Sequence, residues 1–242
     1  MKEILKKYLE ARPLFLSLIR AKEIFLWQKY LPLKKPALDL GCGDGFFAKM
    51  AFGRLDIGLD ITNSRINEVE KETYKKLVTY DGKKMPSQSN SVNTVVSNCV
   101  LEHIPNLEGI VREIYRVLKP GGLFLTTVMA KPWEDNLMFG GWYKDWMRKR
   151  QVHLNLLKFD DWVKRFEMAG FKVEENIGYL SPAACRLLDV CHYLSLPSLV
   201  SYKFTGRWTW GWKWYPVNWL SKIRSENVEA KDSGAIFFVL KK

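Results

Sequence analysis

Residues 37–45 read Ala37-Leu38-Asp39-Leu40-Gly41-Cys42-Gly43-Asp44-Gly45, a short apolar run that ends in three glycines at every second position. The run has the length and composition of a buried strand, and the glycines mark the turn that leads into a helix. Without a Cβ, the backbone at Gly41, Gly43 and Gly45 can turn tightly and come close to a ligand. A dinucleotide fingerprint wants a small residue three positions after Gly43, where this chain has Phe46. Asp39 would also repel a pyrophosphate. The turn is therefore expected to receive a ligand with a cationic group.

Outward from this turn, short apolar runs alternate with amphipathic stretches. Strands are expected at Ala37–Leu40, Leu55–Asp60, Leu77–Asp81, Val92–Asn98, Leu123–Val128, Phe171–Ile177 and Ala235–Leu240. Helices are expected between them at Gly45–Phe52, Ser64–Lys76, Leu107–Leu118 and Asp160–Ala169. This alternation predicts an α/β fold with a doubly wound, seven-stranded, mostly parallel sheet. Pro120 is expected to stop the helix before it, with Gly121 and Gly122 turning into the fifth strand. Asp39, Asp60, Asp81 and the Ser97-Asn98-Cys99 strand end would then face one crevice, where open sheets bind ligands. Asp60 stands where a carboxylate accepts hydrogen bonds from two ribose hydroxyls.

These residues, with the run Asn98-Cys99-Val100-Leu101-Glu102-His103-Ile104 and the run Glu113–Gly122, resemble the class I S-adenosylmethionine-dependent methyltransferases. The resemblance covers roughly residues 36–180 and the last strand. It implies a Rossmann-like sheet whose last strand is antiparallel, S-adenosylmethionine as cofactor, and methyl transfer as the activity. Carried over, Asp39 and the turn Gly41, Gly43, Gly45 would hold the methionine end and Asp60 the ribose. Asp81 and Gly82 would meet the adenine edge, and Asn98 the aminoacyl region.

The remainder of the chain bears on the acceptor. Three units are expected: an N-terminal helical segment at 1–35, a cofactor-binding domain at 36–180 with 233–242, and an insertion at 181–232. Of the net charge of +12, residues 1–35 carry +6 and residues 181–224 carry +5, which implies an anionic partner. The insertion places Trp208, Trp210, Trp212 and Trp214 at alternate positions, so that on an extended segment they share one face. That composition suits a lid over the site or a surface seated on an anionic membrane. Single-stranded nucleic acid is a weaker match. The expected acceptor is a small hydrophobic or lipid-linked molecule; alternatives are an RNA methyltransferase and a non-catalytic cofactor-binding or membrane-associated scaffold.

A hydroxyl acceptor would need its proton removed, and histidine suits that task near neutrality. His103, after the fourth strand, and His153, before the helix at Asp160, are the candidate catalytic residues. The histidines and the four cysteines show no metal-ligand spacing, so no metal is expected. Met1–Glu10 is charged and lacks a small-residue cleavage site, which reads as cytoplasmic, with possible seating at the inner membrane face.

Overall fold

The computed structural model describes residues 2–205, Tyr215 and 227–242. Among the described residues, seven strands form one sheet: β1 (Ala37–Leu40), β2 (Leu55–Ile61), β3 (Tyr74–Tyr80), β4 (Val92–Asn98), β5 (Leu118–Met129), β6 (Lys172–Gly178) and β7 (Ala235–Lys241). Their order is β3-β2-β1-β4-β5-β7-β6, with β7 antiparallel to both β5 and β6 and the other pairs parallel. The order reverses between β1 and β4. That reversal leaves a crevice beyond the carboxyl ends of these two strands, and the glycine turn opens into it.

Around the sheet lie α1 (Lys2–Ala11), α2 (Leu14–Trp27), α3 (Phe46–Phe52), α4 (Leu107–Val117), α5 (Lys131–Asp135), α6 (Trp142–Gln151), α7 (Phe159–Met168), α8 (Pro182–Leu194) and α9 (Leu196–Thr205). Pro13 separates α1 from α2 and stands at the start of α2 in extended conformation, where its missing N–H costs no helical hydrogen bond. Each face of the sheet has its own core. One gathers Trp27, Leu125, Phe237 and the apolar sides of α2 and α8; the other gathers Ile110, Ile114, Trp162, Phe166 and Phe238 against α4 and α7. The neighbours Phe237 and Phe238 point to opposite faces, as period-two geometry demands of a strand covered on both sides.

Two expectations are corrected, and one feature is added. No α-helix covers 64–76; a single 3-10 turn at Ile66–Glu68 precedes β3, which begins at Tyr74. Before Tyr74 the stretch offers only Ile66 and Val69 to an apolar face, too few to pay for a helix, and Leu55↔Tyr74 pairing draws the chain into the ladder. The run Lys119–Gly122 is also not a helix stop: α4 ends at Val117 and β5 begins at once. Partnership with β4 jumps from Val92↔Leu118 to Thr94↔Leu123, so Pro120 and Gly121 occupy a bulge within the strand. Only Gly121 of the two glycines takes positive φ. Finally, α5 and α6 form a second excursion between β5 and α7 that the sequence pattern did not announce.

The basic N-terminal segment is divided in its orientation. Lys2, Lys6 and Lys7 of α1 are exposed, but Lys22 is buried and Arg12 and Arg20 are half-buried toward the crevice. The tryptophans at 208, 210, 212 and 214 lie outside the described residues. Among the described residues, no helix is long and apolar enough to cross a membrane.

Trp27 is fully buried and meets Phe47, Phe52 and Phe237 edge-on at 5.1–6.4 Å between ring centres. Trp27→Ala is expected to cost about 3–5 kcal/mol in urea unfolding, against less than about 0.5 kcal/mol for Phe25→Ala, whose ring is exposed on the same helix.

Candidate active site

The glycine turn follows from Asp39 and ends at α3. Gly41 has φ +74°, and a Cβ there would strike the Val100 side chain at 2.4 Å. Gly43 has φ +54° and faces open space, so its missing Cβ leaves a cradle for something other than protein. Around it lies a cavity of about 230 Å³ whose wall includes Tyr8, Arg20, Asp39, Gly41, Phe46 and Asn98.

Asp39 is buried, and its Oδ2 accepts a hydrogen bond from the Tyr74 hydroxyl at 2.5 Å. Burial pushes its carboxyl up to about 7; the Tyr74 hydrogen bond works against this and the nearby Asp60 adds to it. A buried acid in this state is suited to a cationic ligand, which would return it to the charged form. Asp60, at the end of β2, accepts from the Gly43 amide at 2.6 Å and from the Ile61 amide at 2.7 Å. Each oxygen keeps acceptor capacity for a further donor.

Asn98 is drawn into a network that sequence inspection missed. Its Nδ2 donates to Glu23 at 3.0 Å, and its Oδ1 accepts from Thr127 at 2.8 Å. Glu23 is fully buried and also accepts from Arg20, the Tyr179 hydroxyl and the Cys99 thiol. One signal was available: Glu23 falls in helical register with Ile19, Leu26 and Trp27, an acid on an apolar face. Asp81 behaves differently. It is exposed, and its Oδ1 accepts from the Lys83 amide at 2.9 Å, closing a turn that also contains Gly82 at φ +79°. Gly45 calls for glycine on two counts, a φ of +73° and a Cβ that would press on Val69 and Tyr74.

A second cavity, of about 440 Å³, shares Arg12, Leu16, Arg20 and Arg65 with the first, so the two meet beneath α2. Its wall is largely apolar, with Phe15, Ile19, Met129, Trp133, Leu188 and Leu199 contributing. The polar end holds Glu102, His103 and His153, from the loop after β4 and the segment after α6. His103 Nδ1 lies 3.1 Å from the Val152 carbonyl, which makes Nδ1 the protonated nitrogen and leaves Nε2 with a lone pair. His153 stacks on His103 at 5.1 Å. Burial lowers the pKa of both rings, that of His153 to about 4, so both are neutral at physiological pH. Val152 and Cys99 take φ of +54° and +52°, strained for a β-branched and a non-glycine residue, and they flank the site on either side.

Glu102 is fully buried, and burial pushes its carboxyl up to about 7. Sequence spacing predicted no metal ligands, yet one donor atom each from Glu102, His103 and His153 lies within 4.8 Å of the others. Fifty residues separate the two histidines, a distance no local motif can report. Histidine 192 also lines this cavity, edge-on to Phe15 at 4.5 Å.

Residues 38–126 match the family model described as a methyltransferase domain. A chain of Mycolicibacterium smegmatis, named a probable S-adenosylmethionine-dependent methyltransferase, is 28% identical over 166 residues, 65% of this chain and 60% of the relative. A sterol 24-C-methyltransferase of Aspergillus fumigatus is 26% identical over 189 residues, 70% of this chain and 48% of the relative. The chain thus spans about half to three-fifths of these relatives. The crystal structure of an S-adenosylmethionine-dependent methyltransferase from Mesorhizobium loti shares the fold with a TM-score of 0.58 at 16% identity, covering 93% of this chain and all of that one.

A carboxyl raised to about 7 binds a proton on folding at any pH between its unfolded value and 7. The ligand-free chain should therefore lose stability as the pH rises across that window, with the loss complete above about 7. Urea unfolding between about pH 4 and pH 8 should show this fall, and Asp39→Asn should make it shallower, leaving the share of Glu102, whose carboxyl is also raised to about 7.

Proposed function

Because the chain belongs to the class I S-adenosylmethionine-dependent methyltransferase family, we propose that it transfers a methyl group to a small acceptor with an apolar body. The observation that carries this reading is the junction of the two cavities beneath α2, one lined by the glycine turn and the other ending at His103. S-adenosylmethionine supplies, when bound, an electrophilic methyl group on a sulfonium. The chain's own work is to hold that cofactor, bring the acceptor into line and keep water out.

Asp39 takes the ammonium of the methionine end, with the backbone of Gly41, Gly43 and Gly45 around it. Asp60 offers its remaining acceptor capacity to the ribose hydroxyls. Asp81 and Gly82 border the adenine edge. Asn98 borders the aminoacyl region, its amide held in place by one bond to Glu23 and one from Thr127.

His103 is the proton acceptor for a hydroxyl substrate. Its Nδ1–H is held by the Val152 carbonyl, so Nε2 is the basic atom, and the neutral ring is ready to take a proton. His153 lines the acceptor cavity beside it and fixes the ring by stacking. The apolar wall supports a hydrophobic acceptor, and the sterol named for the A. fumigatus relative is such a molecule.

A lipid-linked acceptor, with seating on an anionic membrane, is supported by one further observation. Met138, Phe139, Trp142 and Trp146 are exposed along and just before α6, beside the basic residues Lys144, Arg148 and Lys149. Cosedimentation with anionic vesicles should weaken with salt and fall in a Trp142→Ser, Trp146→Ser variant; indifference of the wild type to vesicles removes this contact.

Calorimetry should show that Asp60→Ala weakens S-adenosylmethionine binding by about 1.5–3 kcal/mol and that Gly43→Val abolishes it. The wild-type affinity should rise with pH and level off above about 7, as Asp39 ionises. His103→Ala should lower turnover by about 10²–10⁴-fold with cofactor affinity retained. Unchanged cofactor affinity in both Asp60→Ala and Gly43→Val would refute the proposed cofactor site.

A further inference from the structure

The Glu102, His103 and His153 cluster has coordinating capacity that the protein itself leaves unspent. Glu102 is fully buried; its Oε1 meets only the Met129 amide, at 3.3 Å, and its Oε2 has no hydrogen-bond partner. An unpartnered buried carboxylate oxygen is costly and calls for a counter-group. Two imidazoles stand beside it, with one donor atom of each residue within 4.8 Å of the others. The Val152 carbonyl fixes the orientation of the His103 ring through Nδ1, the support that ligating histidines commonly receive.

We propose that Glu102, His103 and His153 form a binding site for a divalent transition metal, Zn²⁺ foremost, with its open coordination positions facing the 440 Å³ cavity. Two imidazole nitrogens and one carboxylate oxygen are a donor set for zinc and its neighbours rather than for magnesium or calcium, which take oxygen ligands. Three protein ligands with a fourth position open is the arrangement of zinc sites that bind substrate. At metal–ligand distances of about 2.0–2.1 Å, tetrahedral donors lie roughly 3.4 Å apart. The side chains must therefore draw together slightly, a movement within reach of rotation about their side-chain torsions. The nearby Arg20 charge does not oppose a cation strongly, because Glu23 pairs with it at 2.6 Å.

The consequence for chemistry rests on the methyltransferase reading, whereas metal binding does not. A metal held there would polarise an acceptor hydroxyl and ease the loss of its proton. His103 would serve as a ligand in the metal-loaded chain and as the proton acceptor in the metal-free one.

The test uses the full chain, stripped with a chelator and titrated with Co²⁺ alone. Retained metal is measured after gel filtration, and the visible absorption of Co²⁺ reports nitrogen ligation. One equivalent of Co²⁺ should be retained and displaced by Zn²⁺. Glu102→Gln and His153→Gln should each weaken binding by at least about 10-fold. Circular dichroism establishes that each variant is folded, and His153→Gln carries the test if Glu102→Gln does not fold. Failure of the wild type to retain metal, or retention unchanged in a folded His153→Gln variant, overturns the site. Calorimetry with S-adenosylhomocysteine on the same samples separates the two readings: loss of that binding with Co²⁺ spectra intact removes the cofactor site and leaves the metal site standing.

Discussion

Four donors converge on the buried carboxylate of Glu23: Arg20 from the same helix, Asn98 and Cys99 from the end of β4, and Tyr179 just beyond β6. A carboxylate in so dry a place is tolerable only when its lone pairs are met, and removing one partner of such a group typically costs about 3–5 kcal/mol. The convergence therefore does more than satisfy a charge. It seats α2 across the crevice, so that one helix forms part of the wall of both cavities.

The rest of the site hangs on that seating and on the switch in strand order between β1 and β4. The switch opens the crevice, and the glycine turn brings backbone rather than side chain to its edge. On the far side, the loop after β4 and the end of α6 meet over the larger cavity. Val152 accepts an unfavourable φ, and its carbonyl is aimed at His103; the adjoining His153 stacks on the same ring. Strain of this kind persists only where surrounding packing over-determines it, here through amides of Leu154 and Asn155 that donate to the Glu102 carbonyl.

Positive charge is distributed with a similar economy. Arg12 and Arg65 both reach Asp44, next to the glycine turn, while Arg20 is held by Glu23. Charges that a count along the chain assigns to an outward basic surface are in part turned inward, where they brace the walls of the two cavities. The lysines of α1 remain in solvent.

The sheet, its strand sites and the glycine turn were legible in the sequence because each is a local pattern: apolar runs of strand length, glycines at a strand end, acids at the ends of β1 and β2. Where local signals were thin, reading failed, as in the missing helix at 64–76 and the bulge at Lys119–Gly122, since strand pairing overrides a weak apolar period. His103 and His153 were visible as single residues, but their stacking and their meeting with Glu102 depend on α6, which the pattern did not announce. The roles of Tyr8 and Arg20 were likewise beyond reach of spacing, and the place of Glu23 on an apolar helix face marked it without naming its partners. The sequence by itself thus determined the sheet and the glycine turn at the crevice. Only the tertiary structure decided what closes over them, because burial of a charge and convergence of side chains fifty or more residues apart are properties of packing, not of local order.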